Sequence, residues 1–169
     1  MEIRDAALAD FDAITAIYNS VVLTSTATYN DKPATLDDRI AWWRSRQKQD
    51  FPVLVACEAD TVLGFASFGE FRAWPGYRFT VEGTIHIAES ERGHGIGRQL
   101  LDALVARARV QGKHVMVAGV DSENEASLRF LTRYGFKETG RLPEVGHKFG
   151  RYLDLVFLQY FLTPPERSA

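Results

Sequence analysis

A glycine-rich turn near the middle of the chain has the composition of an anion-binding site. The residues Arg92-Gly93-His94-Gly95-Ile96-Gly97 follow an alternating apolar run over 81–87 and open an apolar-periodic run over 96–108. This order predicts a strand, a tight turn and a helix. A helix N-terminus presents unpaired N–H groups, and glycines let that backbone approach an anion closely. The turn therefore predicts a pyrophosphate site, and with it a cofactor that carries a nucleotide.

Glu82, in the strand before this turn, is the candidate general base. Period-2 alternation places it on one face of the strand with Thr84 and His86. Apolar neighbours such as Phe79 and Val81 should raise the pKa of its carboxyl group by desolvation, which suits a group that takes a proton from an ammonium. Two other interpretations stay open, in which Glu82 is only a counter-ion for that ammonium or an ordinary surface glutamate.

The loop before this strand, over 71–77, carries an arginine among aromatic residues. Arg72 has the planar guanidinium that binds a carboxylate through two hydrogen bonds, and Phe71 and Trp74 could line a pocket beside it. The alternative is a surface arginine with packing aromatics. Gly83, inside the strand of Glu82, predicts a β-bulge that would splay the sheet and open a slot, unless the glycine only serves packing.

These candidate residues lie on a regular succession of strands and helices. The strand candidates are the runs 2–4, 53–57, 62–68, 81–87, 114–120, 136–142 and 153–161. Helices are expected after Asp10, after Thr35 in a capping box with Asp38, from Ile96, and after Asn124. The mixture predicts an α/β (or α+β) fold with a single sheet covered by helices.

The length and the polar segments give the domain organisation. A chain of 169 residues is expected to form one domain over 1–169. The segment 21–33 is rich in polar residues and predicts a loop, and the proline-containing tail 163–169 is expected to be frayed. The basic residues Arg44, Arg46 and Lys48 are expected to form a solvated helix face.

Composition argues against several classes of protein. The net charge is −2, so no overall field favours nucleic acid or an anionic membrane. No apolar run approaches the ~18 residues that a membrane span needs, and the acidic start predicts no signal peptide. The single cysteine, Cys57, rules out an internal disulfide, fits a cytoplasmic protein and is expected to be inert in its apolar strand. The four histidines lack metal-ligand spacing, so no metal is expected.

Three motifs together resemble the GNAT superfamily of acetyl-CoA-dependent N-acetyltransferases over nearly the whole chain. They are Arg92-x-x-Gly95-x-Gly97, Asn124-x-x-Ser127 and Tyr134-Gly135-Phe136. A Rossmann site would instead require Gly-x-Gly-x-x-Gly. The stretches 80–85 and 145–154 are similar to the phosphinothricin and methionine sulfoximine (or methionine sulfone) N-acetyltransferase branch.

The resemblance implies a mixed, mostly antiparallel sheet that is splayed at the cofactor slot and covered by helices on both faces. It also implies acetyl-CoA as cofactor, a homodimer, and acetylation of the α-amino group of a small amino acid-like molecule by direct attack in a ternary complex, with Glu82 as catalytic residue. The implied cofactor-binding residues are Ile85, His86, Ile87, Arg92, Gly93, His94, Gly95, Ile96, Gly97, Arg98, Asn124 and Ser127. The implied substrate-binding residues are Arg72, Ala73, Trp74, Glu82, Gly83 and Thr84.

The chain departs from the superfamily at Leu131. Many members have a tyrosine, and the phosphinothricin branch often a histidine, at this position to protonate the departing thiolate, whereas leucine donates no proton. Solvent is the expected donor, because a thiol pKa near 8.5 makes this feasible, and Tyr134 is expected to be a packing residue. Two other functions stay open: a protein or peptide N-acetyltransferase, and a non-catalytic acetyl-CoA-binding module.

Overall fold

The structure is a computed structural model that describes residues 1–165. One seven-stranded sheet has the order β1-β2-β3-β4-β5-β7-β6, and every adjacent pair is antiparallel except β4 and β5. The strands are β1 (Glu2–Asp5), β2 (Val53–Glu58), β3 (Thr61–Glu70), β4 (Thr80–Ile87), β5 (Val115–Asp121), β6 (Lys137–Lys148) and β7 (Arg151–Phe161). The helices are α1 (Phe11–Thr24), α2 (Leu36–Lys48), α3 (Ile96–Val110) and α4 (Glu125–Tyr134). Most of the predicted frayed tail, residues 166–169, lies outside the described residues.

Helices cover both faces of the sheet, as expected. The apolar stripe of α3, with Leu100 and Leu104, packs on one face against Val81 and Met116. On the opposite face α1 packs against β2 and β3, through the buried ring of Phe11 among others. No helix within residues 1–165 combines the length and the hydropathy needed to cross a bilayer.

The parallel pairing of β4 with β5 is short and leaves the sheet open. The two strands pair only at Thr80–Val115, Val81–Met116 and Glu82–Val117. Beyond this point β4 pairs only with β3, while β5 pairs only with β7. The predicted splay of the sheet is therefore confirmed.

The predicted bulge at Gly83 is wrong. The β3–β4 register runs without a shift through Gly83 and its partner Phe68. A Cβ on Gly83 would lie 3.1 Å from the Sδ atom of Met116, which is closer than packed side chains normally approach. Gly83 therefore permits tight packing against β5, and the splay comes from the early end of the β4–β5 ladder.

Two segments are more regular than the sequence predicts. Helix α1 continues to Thr24, because Val21 and Val22 are apolar and buried, so the predicted loop begins only at residue 25. Strands β6 and β7 extend beyond the predicted runs 136–142 and 153–161 into one long hairpin, in which His147 pairs with Tyr152.

The β6–β7 hairpin holds the connection between α1 and α2. Lys148 is 2% exposed, and its Nζ donates to the carbonyl oxygens of Ser25 at 2.7 Å and Thr28 at 2.8 Å. The hydroxyl of Tyr29 donates to the Asp154 carbonyl at 3.2 Å. Since a buried ammonium needs such acceptors, these bonds position the 25–35 loop against the sheet.

Candidate active site

The glycine turn forms an open backbone cradle at the start of α3. Gly93 and Gly95 have φ angles of +85° and +81°, in the left-handed region that favours glycine. The N–H groups of Gly93, His94 and Gly95 have no acceptor within residues 1–165, and those of Ile96 and Gly97 have no helical partner, because they lie in the first turn of α3. Five donors near the positive end of a helix fit a pyrophosphate.

Arg98, one of the implied cofactor-binding residues, has partners within the protein. Its N–H donates to the carbonyl of Gly95 at 3.1 Å, so it is not one of the free donors. Its Nε lies 3.3 Å from Asp102, and its guanidinium lies 4.8 Å from the centre of the Tyr134 ring. Arg92, by contrast, is exposed at the rim of the turn and keeps its side chain available to an anion.

The edge of β4 that faces the opening has no neighbouring strand from Gly83 to Ile87. Ile85 and Ile87 pack towards the α3 face, whereas the His86 ring lies on the opposite face near Phe65 and Tyr18. Burial lowers the pKa of His86 to about 4, so its ring is neutral at physiological pH. The free backbone edge can pair with an extended chain of amides.

Asn124 and Ser127 lie across the opening at the start of α4. The Asn124 Oδ1 accepts the N–H of Ser127 at 3.1 Å, which confirms the predicted helix cap. The side-chain amide of Asn124 retains its two N–H donors, since only its oxygen is used in the cap. The cap therefore does not compete with a bond from this amide to a ligand in the opening.

Glu82 lies where β4 and β5 separate. It is half-buried and shares the α1–α2 face of the sheet with His86, as the alternation predicts. Its Oε1 lies 3.3 Å from the position of a Cβ built on Gly119, so the glycine leaves space for the carboxylate. Desolvation raises the pKa of Glu82, and the nearby charges of Arg46 and Arg72 oppose that rise. The predicted direction of the pKa is confirmed.

Arg46 was not anticipated as part of this site. The sequence predicts that Arg46 lies on a solvated face of α2. This prediction is wrong, because Arg46 is half-buried and its guanidinium covers Gly69. Gly69 is the register partner of Glu82, and a Cβ on Gly69 would overlap the guanidinium. The sequence signal for this role is the spacing of Arg39, Trp42 and Arg46, which places all three on one side of a helix.

The six predicted substrate residues do not line a single cavity. Arg72, Ala73 and Trp74 border an open cavity of about 320 Å³ together with Thr80 and Val81. Glu82, Gly83 and Thr84 continue β4 away from that cavity. Trp74 is 74% exposed, so it closes no pocket in this conformation.

The residues considered for protonating a leaving group are engaged elsewhere. Leu131 is buried in the core beneath α3. The hydroxyl of Tyr134 donates to the Asp102 carboxylate at 2.8 Å, and its ring packs on Phe136 and Tyr160. Burial first, and then the bond to Asp102, raise the pKa of Tyr134. This agrees with the predicted packing role, because a phenol with a raised pKa gives up its proton less readily.

Neither metal chemistry nor a reactive thiol is indicated. No group of three metal-ligating side chains comes together in the part of the chain that the structure describes. Cys57 is buried, and burial raises the pKa of its thiol, so it carries little thiolate at neutral pH.

Comparison with known proteins identifies relatives along the whole chain. The sequence pattern of the acetyltransferase (GNAT) family matches residues 14–136. The L-methionine sulfoximine/L-methionine sulfone acetyltransferase of Pseudomonas aeruginosa is 49% identical over 168 residues, covering 99% of this chain and 97% of the relative. The phosphinothricin N-acetyltransferase of Streptomyces coelicolor is 33% identical over 162 residues, covering 94% and 95%. A putative acetyltransferase of Salmonella typhimurium, solved with its cofactor acetyl-CoA, superposes with a TM-score of 0.95 at 46% identity, covering 100% of this chain and 98% of that one.

Gly69→Ala is expected to raise the pKa of Glu82. The new methyl group would displace the guanidinium of Arg46, the end of a flexible side chain, and a nearby cation stabilises the charged form of a carboxyl group. Its loss therefore favours the protonated form at a given pH. Titration of the Glu82 carboxyl ¹³C resonance measures the change, and Arg46→Met should move the pKa in the same direction.

The matched control is Gly140→Ala. Gly140 also lies in a strand, and a Cβ built on it would contact nothing within 4 Å. This variant should leave the Glu82 titration unchanged. An unchanged titration in Gly69→Ala would show that Arg46 does not influence the carboxylate.

Proposed function

Because the chain belongs to the acetyltransferase (GNAT) family, we propose that it acetylates the α-amino group of small amino acid-like acceptors of the methionine sulfoximine, methionine sulfone and phosphinothricin type. The protein is an acetyltransferase, and acetyl-CoA is its acetyl donor. The observation that carries the proposal is the half-buried Glu82 at the point where β4 and β5 separate. It lies beside both the free β4 edge and the open α1–α2 face.

Acetyl-CoA supplies an acetyl thioester, which is an electrophile. The free N–H groups between Gly93 and Gly97 bind its pyrophosphate, and Arg92 adds a charge at the rim. The open edge of β4 over 85–87 and the amide of Asn124 orient its extended arm. A backbone N–H of this edge polarises the carbonyl, as an oxyanion-hole donor does. The free donors and the unpaired edge described above support these assignments.

Glu82 removes a proton from the acceptor ammonium, directly or through a water molecule. Its raised pKa brings its basicity closer to the working pH. Arg46 and Arg72 favour the charged form of the carboxylate, because both cations oppose the effect of desolvation on its pKa. The competing role, a counter-ion that only binds the ammonium, would use the same charge without a proton transfer.

Arg72 binds the carboxylate of the acceptor in this proposal. The positive charge of Arg72 lowers the pKa of Glu82, which supports a position of Arg72 near the acceptor. The loop of Arg72 also contacts the sheet, because the ring centres of Phe71 and Phe157 lie 6.2 Å apart. Thr84, which is exposed on β4, and Gly83 border the acceptor on the strand side. Closure of the exposed loop over 71–77 would be needed to bring Ala73 and Trp74 to the same acceptor.

Water supplies the proton for the departing sulfur in this proposal. Leu131 has no proton to give, and the hydroxyl proton of Tyr134 is held by Asp102. Acetyl transfer is then direct, from donor to amine in a ternary complex. The buried thiol of Cys57 lies in β2 and not in β4 or β5, so it is not placed to carry an acetyl group.

We also propose that residues 1–169 form one cytoplasmic domain that assembles as a homodimer. The single seven-stranded sheet supports one domain, and the presence of only one cysteine supports the compartment. Exposed apolar side chains on the β6–β7 hairpin support the dimer, since contiguous exposed apolar surface commonly marks an interface. They are Leu142, Val145, Phe149 and Tyr152.

Thiol release from acetyl-CoA tests the proposed acceptors. Methionine sulfoximine, methionine sulfone and phosphinothricin should each stimulate release, whereas a short peptide should not. Release with the peptide alone would instead indicate a peptide acetyltransferase. Binding of acetyl-CoA without release under any condition would indicate a non-catalytic binding module.

Glu82→Gln should lower kcat by about 10²–10⁴-fold, because it removes the proton acceptor. In the unaltered enzyme kcat/KM should rise with pH as Glu82 loses its proton, and this acidic limb should disappear in the variant. Glu70→Gln is the control, since Glu70 is an exposed carboxylate on the neighbouring strand. A raised KM with unchanged kcat would support the counter-ion role instead.

Val145→Asp should weaken the dimer in light-scattering measurements. Val145 is 55% exposed on the hairpin, and a carboxylate there would be desolvated in an apolar interface. Val110→Asp is the matched control, because Val110 is 85% exposed at the end of α3, away from the hairpin. A monomeric mass for the unaltered protein would contradict the dimer.

A further inference from the structure

Arg39 is a buried arginine clamped between aromatic rings. It is 8% exposed, and its guanidinium carbon lies 4.2 Å from the centre of the Tyr18 ring and 4.0 Å from that of Trp42. Both broad faces of the guanidinium are therefore covered. The ring of Phe65 lies farther away, at 5.8 Å. Only the edge of the group, where its five N–H donors lie, is left to interact.

Arg39 has no counter-ion in the described structure. None of its N–H groups donates to an acceptor within residues 1–165, and its Nε is fully buried without a partner. No salt bridge of the described residues includes Arg39. The positive charge of Arg46 makes the charged form of Arg39 less favourable. Burial lowers the pKa of Arg39 to about 10, so the group is still charged at neutral pH.

Cation–π contacts explain only part of this arrangement. Aromatic faces attract the charge, but they accept no hydrogen bond along the edge of the guanidinium. A largely buried cation with an unsatisfied donor, here Nε, is costly to a folded protein. An anion that arrives with in-plane oxygens would satisfy both the charge and the donors.

Arg39 lies near residues on the face of β4 that carries Glu82, where the proposed function places the acceptor. Tyr18, which covers one face of Arg39, receives a 2.9 Å hydrogen bond from Asn30 of the α1–α2 loop. His86 lies near the rings of Tyr18 and Phe65, on the same face of β4 as Glu82. The two residues are four positions apart on the strand, or about 13 Å along it. The exposed Thr84 lies between them.

We propose that Arg39 is an anion subsite of the acceptor pocket, which binds an oxyanion of the acceptor through its unpaired guanidinium edge. The inference rests on the proposed function, because it places a small amine acceptor on this face. The oxyanion is a side-chain group of the acceptor such as a phosphinate, because the proposed function assigns the α-carboxylate to Arg72, and an α-carboxylate lies too close to the amine at Glu82 to reach Arg39 as well.

Three acceptors test whether a side-chain oxyanion uses the subsite. Phosphinothricin has an α-carboxylate and a side-chain phosphinate, norleucine has only the carboxylate, and norleucine amide has neither. Each is assayed for kcat/KM with the unaltered protein, with Arg39→Met, which keeps an apolar stem between the rings, and with Arg44→Met. Arg44 is an exposed arginine on the same helix, which makes it the matched control.

Arg39→Met should lower kcat/KM by about 10–100-fold for each acceptor that uses the subsite, the usual effect of losing a hydrogen bond to a charged group. A loss with phosphinothricin alone supports the proposal. A loss with phosphinothricin and norleucine, but not with the amide, would place the α-carboxylate at Arg39 and overturn it. Equal losses with all three acceptors, or no loss, overturn the proposal, because a packing role does not depend on the acceptor's charge.

Calorimetric binding of phosphinothricin and norleucine amide separates this proposal from the proposed function. If no acceptor stimulates thiol release by the unaltered protein, the proposed function fails, and binding still decides the subsite. Weaker binding of phosphinothricin to Arg39→Met than to Arg44→Met supports it, and equal or absent binding overturns it. If Arg39→Met does not fold, as judged by its thermal transition, Arg39→Lys takes its place, because it keeps the charge and loses the planar fork.

Discussion

The short parallel ladder between β4 and β5 is the constraint on which the rest of the site depends. Three register pairs join the strands and then the ladder ends, so one sheet has a closed end and an open end. The closed end places Glu82 beside Gly119, while the open end leaves the β5-facing edge of 83–87 without a partner strand. Since unpaired backbone groups are costly unless they are solvated or bound, the same feature creates both a rigid point for the carboxylate and a surface that favours an amide-rich ligand.

Helix α2 brings positive charges to the face of the sheet that also carries Glu82. Its inward side carries arginines where most amphipathic helices carry aliphatic residues. Arg46 lies over Gly69 beside Glu82, and Arg39 lies between Tyr18 and Trp42. Both guanidiniums have a buried Nε without a partner within residues 1–165. The α1–α2 face of the sheet therefore carries two largely buried cations although the whole chain has a net charge of −2, and the proposed anionic acceptor would be favoured by local placement and not by total charge.

The sequence predicts the parts of the site that local rules determine. The turn at Gly93 and Gly95, the start of α3 and the cap at Asn124 each depend on a few adjacent residues, and the structure agrees with them. The alternation on β4 likewise predicts the face and the raised pKa of Glu82. The part played by Arg46 depends on the β3–β4 register, which brings Gly69 to Glu82 and is not visible in a local window. The predicted bulge at Gly83 is wrong for the same reason. The close neighbour of Gly83 is Met116, which belongs to a strand more than 30 residues further along the chain.

The place of β7 in the sheet has a consequence for how the protein acquires its fold. This strand is the last of the seven in chain order, yet it lies between β5 and β6 and pairs with both. During synthesis on the ribosome, β5 has no antiparallel neighbour until β7 emerges, and the loop that Lys148 and Asp154 hold has no anchor. The sheet around the opening therefore closes only after β7 has left the ribosome. A truncated nascent chain would expose β5 as an unpaired edge, the kind of surface that recruits chaperones or aggregates.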